Sequence, residues 1–465
     1  MQILIILLAL ALLMAAAYRG ASVILFAPIA ALTAVLLIDP SLTLPVFSAV
    51  FLERMAGFIK LYFPVFLLGA IFGKLMEVSG FARSIIEAGM RFIGPSHAMG
   101  AVVLVCALLT YGGVSLFVVA FAVYPFAAEM FRASNIPKRL IPATIALGAF
   151  TFTMDALPDS PQIQNIIPTG FFGTTAWAAP WLGVQGALFL LAGGMGYLEW
   201  RRRAAQGSGE GYGEELLLAE VSGLPARKVH VAVAVLPLLI VGVVNFWLSG
   251  WLPSRYGVSY DLAAAGITGS APIDPSKLTG VWSVECALAA AILFVLAVWF
   301  TKSGAGALTA PIHTAIGGAM LATLNTASEY GFGAVIAALP GFAAISAWLS
   351  GSVHDPLLNV AITTNVLAGI TGSASGGMSI ALTAMAQTYI RDAAAAGIPN
   401  EVVHRVAAMA SGGMDTLPHN GAIITLLAIT GMTHRRAYKD IFVLTGLKTA
   451  TAFFVIGSYY LFRAY

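Results

Sequence analysis

Residues 231–250, VAVAVLPLLIVGVVNFWLSG, contain no charged side chain, and apolar runs of this kind recur along the whole 465-residue chain. Crossing a hydrocarbon core of roughly 30 Å takes about 20 such residues as a helix, and no run alternates polar with apolar as barrel strands do. Only 10% of the residues are charged, against about 25% in soluble domains. The chain is therefore expected to be an all-α polytopic membrane protein. The run at 3–18 has no basic stretch before it and is followed at once by a second, so it reads as a retained span rather than a signal peptide. Cys106 and Cys286 both fall in apolar segments and read as buried thiols, without a disulfide framework or metal cluster. A net charge of +3, scattered along the chain, gives no footprint for nucleic acid.

One soluble insertion stands out at residues 199–228, Gly-rich and flanked by basic residues, and it reads as a cytoplasmic linker between halves 1–198 and 229–465. Spans are expected at 3–18, 22–38, 62–76, 140–175 (broken) and 176–198. In the second half they are expected at 229–250, 282–301, 310–327, 401–432 (broken) and 441–463. With the linker inside, sixteen Lys and Arg fall on the cytoplasmic side and seven, Arg405 among them, outside, which leaves Lys448 within a span. That asymmetry has the sense of the positive-inside rule.

The halves repeat each other. YGGVS (111–115) precedes an Ile-Pro at 136–137 and MDALP at 154–158; SGGMS (375–379) precedes an Ile-Pro at 398–399 and MDTLP at 414–418. Gly113 to Pro137 is 24 residues and Gly377 to Pro399 is 22; Pro137 to Asp155 is 18 and Pro399 to Asp415 is 16. Five crossings per half make the second copy inverted, the arrangement in which secondary transporters place a substrate site near the bilayer midplane. Pro158, Pro161 and Pro418 stop helices inside apolar stretches, and such backbone is tolerated in a membrane only where it lines a cavity or is buried in protein. The Gly-rich tips near 110–115 and 372–379 lie between apolar segments of about 12–18 residues and read as turns of re-entrant hairpins. Their amides, with Thr110, Gly112, Gly113, Ser115, Ser373, Ser375, Gly376, Gly377 and Ser379, suit a carboxylate if the tips face each other.

The segments TFTMDALPDSPQIQNIIPTGFFGT (151–174), SASGGMSIAL (373–382) and SGGMDTLPHNGAIITLLAITG (411–431) resemble the gluconate permease family, proton symporters of sugar acids and small hydroxy acids within the wider ion transporter superfamily. The resemblance spans both halves. It implies a scaffold and a transport domain per protomer, a homodimer, elevator-type alternating access and a bacterial inner membrane. The first tip and its return arm (111–132) are more aromatic and apolar than a polyhydroxylated acid requires, and resemble the branch associated with 3-hydroxybutyrate. The expectation is proton-coupled symport of a small hydroxy monocarboxylate, with sodium-coupled carboxylate transport or a passive organic-anion channel as alternatives, and no cofactor.

Asp155 and Asp415 are candidates for proton coupling or site organisation, the competing role being to cap the helix that resumes after each break. Capping is the favoured role of Asp159. His419 occupies the equivalent place in the second half and titrates near neutral pH, which makes it a candidate proton carrier. Ser160 and Asn420 follow the breaks as candidates for substrate recognition. Glu77 and Glu329 match between halves and read as solvated helix ends, Glu285 is unassigned, and His354 and Asp355 mark the entry to the second hairpin. Residues 80–92, with charges at Arg83, Glu87 and Arg91, read as a helix lying along the membrane surface. An intramembrane aspartyl protease is disfavoured because its Tyr-Asp and Gly-x-Gly-Asp motifs are absent.

Overall fold

The computed structural model describes residues 2–19, 21–93, 97–114, 116–213, 229–257, 259–262, 273–275, 278–300, 308–342, 344, 353, 355–418 and 420–465. Ser115, His354, His419 and residues 214–228 of the expected linker lie outside them. Among the described residues, β structure is confined to one isolated bridge between Tyr260 and Ile273. A segment in lipid satisfies its N–H and C=O groups internally only as a helix, and that is what the apolar runs form.

The first half opens with α1 (Gln2–Tyr18) packed against α2 (Val23–Ile38). Next comes α3 (Pro40–Val78), a 39-residue continuous helical stretch. The expected span at 62–76 was too short because Glu53, Arg54 and Lys60 resemble loop residues, yet no breaker separates them from the apolar run. The amphipathic α4 (Phe81–Ile93) buries Phe81, Ala82, Ile85 and Ile86, while Arg83 and Glu87 pair at 2.7 Å one turn apart. It rests on α5 and α11 (below), so its apolar face meets protein.

The hairpin α5 (Ala98–Tyr111) and α6 (Leu116–Ala133) leads to α7 (Ile141–Ala149), the single turn α8 (Phe152–Asp155), α9 (Ile163–Phe172) and α10 (Pro180–Gly207). The start of the expected linker is thus the end of α10. The second half contains α11 (Val231–Tyr256), α12 (Thr279–Phe300), α13 (Thr309–Ala338), the hairpin α14 (Pro356–Thr371) and α15 (Ala374–Ala395), then α16 (Asn400–Gly413), α17 (Gly421–Thr430) and α18 (His434–Phe462). Both 310–327 and 441–463 were underestimated in the same way as α3.

The repeat is visible in the elements. α9 and α17 each have 10 residues and each ends on a left-handed glycine, Gly173 at φ 64° and Gly431 at φ 65°. A helix of 28 residues follows the first and one of 29 the second. The leading hairpin arms, at 14 and 16 residues, are about 21 and 24 Å long, less than a bilayer core. The return arm α15, with 22 residues, exceeds the expected length because Ser375 to Ser379 are helical rather than part of the tip.

Helices α2, α3, α11, α12 and α13 pack on one another, and the hairpins and broken helices of both halves form a second group. The halves interlock within that second group: α9 packs on hairpin arm α15, and α17 packs on hairpin arm α6. At one end Asp440 of α18 receives Arg201 at 2.6 Å and Arg139 at 3.1 Å, and Arg139 also pairs with Glu210 at 2.6 Å. The Arg139 guanidinium holds the Glu210 carboxyl below the usual carboxylate range. Leu239, Val243, Phe246 and Trp247 of α11 are exposed, as a lipid-facing surface requires. Cys286 is exposed too, so only Cys106 fits the expected buried thiol; an apolar segment in a membrane has two kinds of apolar surroundings, protein and lipid.

Candidate functional site

In the first break, helix α7 ends at Ala149, and the chain makes one turn before Asp159, whose φ of 65° turns it back. Its polar backbone is satisfied by nearby side chains. Thr151 and Thr153 donate to Leu147 O and Gly148 O, and Ser160 Oγ donates to Thr153 O at 2.6 Å. Asn165 Nδ2 donates to Ser160 O at 2.8 Å and to Ala176 O at 2.9 Å. The first tip closes over the break: Tyr111 Oη donates to Pro158 O at 3.0 Å, and Gln162 Nε2 donates to Thr110 O at 2.7 Å.

The second break repeats that scheme with different side chains. Asn420 Nδ2 donates to Gly372 O of the second tip at 2.6 Å, while its Oδ1 accepts Ala422 N at 2.6 Å and Ile423 N at 3.1 Å. Asn420 is therefore the cap of α17 and the tie to the hairpin. Neither aspartate caps the resuming helix. Asp159 does not cap either: its carboxylate takes the Asn245 amide of α11, and Gln162 occupies the N-cap position of α9 without a side-chain bond.

Both MD-x-LP aspartates instead converge on Lys448, in the middle of α18. Its ammonium donates to Asp415 Oδ1 at 2.6 Å and to Phe150 O, at the edge of the first break, at 2.8 Å; Asp155 Oδ2 lies 3.9 Å away. All three side chains are buried. An ammonium without a counter-charge in such a place costs several kcal/mol, so one cation explains why an aspartate recurs at the same place in both halves. Gly412, in the second half's SGGMD, makes room for it: a Cβ there would overlap Asp155 Oδ2 and lie 3.1 Å from Lys448 Cε. An ammonium, not a shared proton, bridges the two carboxylates, unlike the dyad of an aspartyl protease.

Behind the first break sits Arg405, fully buried on α16. Its Nε and Nη2 donate to Ala178 O at 2.9 and 2.7 Å, and Nη1 donates to Asn165 Oδ1 at 2.9 Å. His404 beside it shares a 2.6 Å hydrogen bond with Thr174 Oγ1. An arginine in a broken span looks like loop chemistry from sequence, since the carbonyls that hold it come from the distant 176–178 turn. Lys448 had a legible signal, being a cation within a span.

The tips are less alike than their motifs. Gly113 has φ 93°, which a glycine accommodates, and Gly112 lies against Leu238 of α11, where a Cβ would overlap. In the second tip the turn is Gly372–Ser373, and Ser373 Oγ caps α15 by accepting Gly376 N at 3.0 Å. Ser375 Oγ lies 3.4 Å from Ser373 Oγ and 3.5 Å from Thr326 Oγ1. Gly377 packs against the backbone of Leu367 and Ala368, so its missing side chain serves helix contact. No hydrogen bond joins the two tips among the described residues; each is tied to the break of its own half. Among the described residues, the buried hydroxyls of Thr110, Ser379 and Thr364, with Asn365 Oδ1, have no partner.

Glu77 is half-buried and pairs with Lys74 at 2.8 Å, as a helix-end group does. Its sequence counterpart Glu329 is not a helix-end group: it is 4% exposed, on the inner part of α13. Asp355 caps α14, accepting Leu358 N at 2.8 Å.

Broken helices closed by short hairpins, with a buried charge triad joining two repeats and lipid-facing apolar surface outside, define a membrane transporter. A solved structure, that of the Alcanivorax borkumensis YdaH transporter, matches with a TM-score of 0.56 over 89% of this chain and 88% of its own at 13% identity, a likeness of fold. The uncharacterized transporter YxjC of Bacillus subtilis (strain 168) is 57% identical over 471 residues, 99% of each chain, and this protein belongs to the same family. No family model matches the sequence.

Proposed function

We propose that this transporter is a proton-coupled symporter of a small hydroxy monocarboxylate, of the 3-hydroxybutyrate or gluconate type, in a bacterial inner membrane with the 199–228 segment cytoplasmic. The observation that carries the reading is the Asp155–Lys448–Asp415 triad, in which one ammonium ties the breaks of the two halves together. Ionisable groups buried where the two breaks meet are expensive to keep within spans, and such clusters mark ion and substrate pathways. The inverted duplication, with hairpin tips docked on the breaks, supports a shared site and alternating access of the gluconate permease kind in a homodimer. The hydroxyls of Thr110 and Ser379, unpartnered among the described residues, and the Ser375 hydroxyl on the first turn of α15 are the groups assigned to the substrate, with Gly112 and Gly113 shaping the first tip. Asp155 and Asp415 organise the site. Ser160 and Asn420 hold the breaks in shape, and His419 stays a candidate for pH sensing.

The test is uptake into proteoliposomes of labelled 3-hydroxybutyrate, lactate, gluconate and a dicarboxylate, each under an imposed proton or sodium gradient. Accumulation of a hydroxy monocarboxylate when the outside is acidified, abolished by a protonophore, is the expected result. Accumulation that needs sodium and ignores the protonophore refutes proton coupling; downhill flux that neither gradient concentrates refutes symport altogether.

A further inference from the structure

We infer that Glu329, buried where α13 meets the first turn of hairpin arm α15, is the group that takes up and releases the coupling proton. Its side chain is 4% exposed. Among the described residues it has neither hydrogen-bond nor ion-pair partner, although buried carboxylates elsewhere in the protein are held: Asp155 and Asp415 near Lys448, Asp159 by Asn245, and Asp440 by two arginines. Leaving one charge unpaired in such surroundings costs several kcal/mol, so the group has a role that pairing would defeat.

The charged and titratable groups on every element packed against α13 leave it alone. Helix α3 contributes Glu53, Arg54, Lys60, Tyr62, Lys74 and Glu77, α15 contributes Tyr389, Arg391 and Asp392, α2 has none, and α13 itself adds His313 and Tyr330. None of these bonds to the Glu329 carboxyl. What it meets is Gly376, where a Cβ would overlap the carboxyl, at the N-terminal turn capped by Ser373. That turn carries the positive end of the α15 dipole, which favours the ionised form, while burial favours the neutral one. Two opposed influences of this kind make the charge state depend on how closely the hairpin sits on α13. Close contact with α15 leaves no room on that side for a metal-sized cation, and a proton adds no volume.

α13 belongs to the helix group of α2 and α3, whereas α15 belongs to the group with the breaks. Relative movement of the two groups separates Glu329 from the hairpin, hydrates the carboxyl and releases the proton. This role rests on the proton-symport reading above.

The experiment uses the full-length protein, wild type and Glu329→Gln, Glu329→Asp and Asp155→Asn, reconstituted with whichever of 3-hydroxybutyrate, lactate or gluconate the wild type accumulates. A gradient of one pH unit drives about tenfold accumulation for a one-proton symporter. Glu329→Gln is expected to bring that ratio to about one while retaining exchange of labelled for unlabelled substrate, and Glu329→Asp to retain gradient-driven uptake. Asp155→Asn is expected to lower both activities together. Independently of substrate, the infrared carboxylic-acid carbonyl band of the wild type should fall as pH rises, and the wild-type minus Glu329→Gln difference should show a one-carboxyl component of that change. A Glu329→Gln protein that accumulates like wild type, or a pH-dependent band unchanged by the substitution, overturns the assignment of Glu329 alone. A wild type whose uptake ignores the proton gradient overturns the symport reading and the coupling role with it.

Discussion

Replacing Lys448 with Met removes the ammonium while keeping the stem that α18 buries. The 2.6 Å bond to Asp415 and the 2.8 Å bond to Phe150 O are both lost, and both acceptors stay enclosed. Removing one partner of a buried pair costs about 3–5 kcal/mol. With an unfolding entropy of about 2.1 cal/mol/K per residue, 465 residues give about 1 kcal/mol/K, so the loss corresponds to roughly 3–5 °C in melting temperature. Much of that cost is the stranded carboxylate, which Asp415→Asn removes. The double variant should therefore melt about 1–3 °C above the sum of the single shifts. Asp155→Asn, at the longer 3.9 Å separation, should show weaker coupling to Lys448. Tryptophan fluorescence during thermal unfolding of the detergent-solubilised protein measures all four corners of the cycle. Shifts for Lys448→Met and Asp415→Asn that add to within about 0.5 °C would mean that the pair has no energetic coupling, and the argument that one cation joins the breaks fails.

Gly412→Ala should reproduce part of the Lys448→Met loss of stability, because the methyl displaces Asp155; a melting temperature equal to wild type contradicts the packing. Gly377→Val should reduce yield of folded protein on size-exclusion chromatography, since the new side chain meets the backbone of Leu367 and Ala368; normal yield with lost uptake would instead mark Gly377 as a substrate contact. At the helix ends, the Glu210 carboxyl lies below its unfolded value because of Arg139, so its contribution is present above the usual carboxylate range and lost as pH falls through the folded value. The stability difference between wild type and Glu210→Gln, read from melting temperatures, should accordingly shrink on acidification below about pH 4.3; a difference that grows instead contradicts the sign.

The helical membrane class and the duplication were legible because they rest on patterns that a chain displays locally: charge-free runs and the repeated MD-x-LP. The role of the aspartates was not, since it depends on Lys448, and contact between residues 415 and 448 follows from how α16 meets α18. Glu53, Arg54 and Lys60 misled in a different way, because a polar residue on the flank of a long helix looks the same in sequence as one in a loop. Glu329 and Glu77 matched in sequence and diverged in burial, so the motif fixed neither environment. Cys286 shows the same limit, since an apolar segment leaves its thiol exposed.

The crossing of α9 onto α15 and of α17 onto α6 means that neither half of the gene encodes a self-sufficient product. Phe150 O waits for Lys448, 298 residues later in the chain. At synthesis rates of about 5–20 residues per second, roughly 15–60 s pass before that partner leaves the ribosome. During this interval the first break, with Asp155 and its open carbonyl, is held in or beside the bilayer without its cation. Truncation anywhere before α18 therefore yields a chain that no rearrangement of its own residues completes.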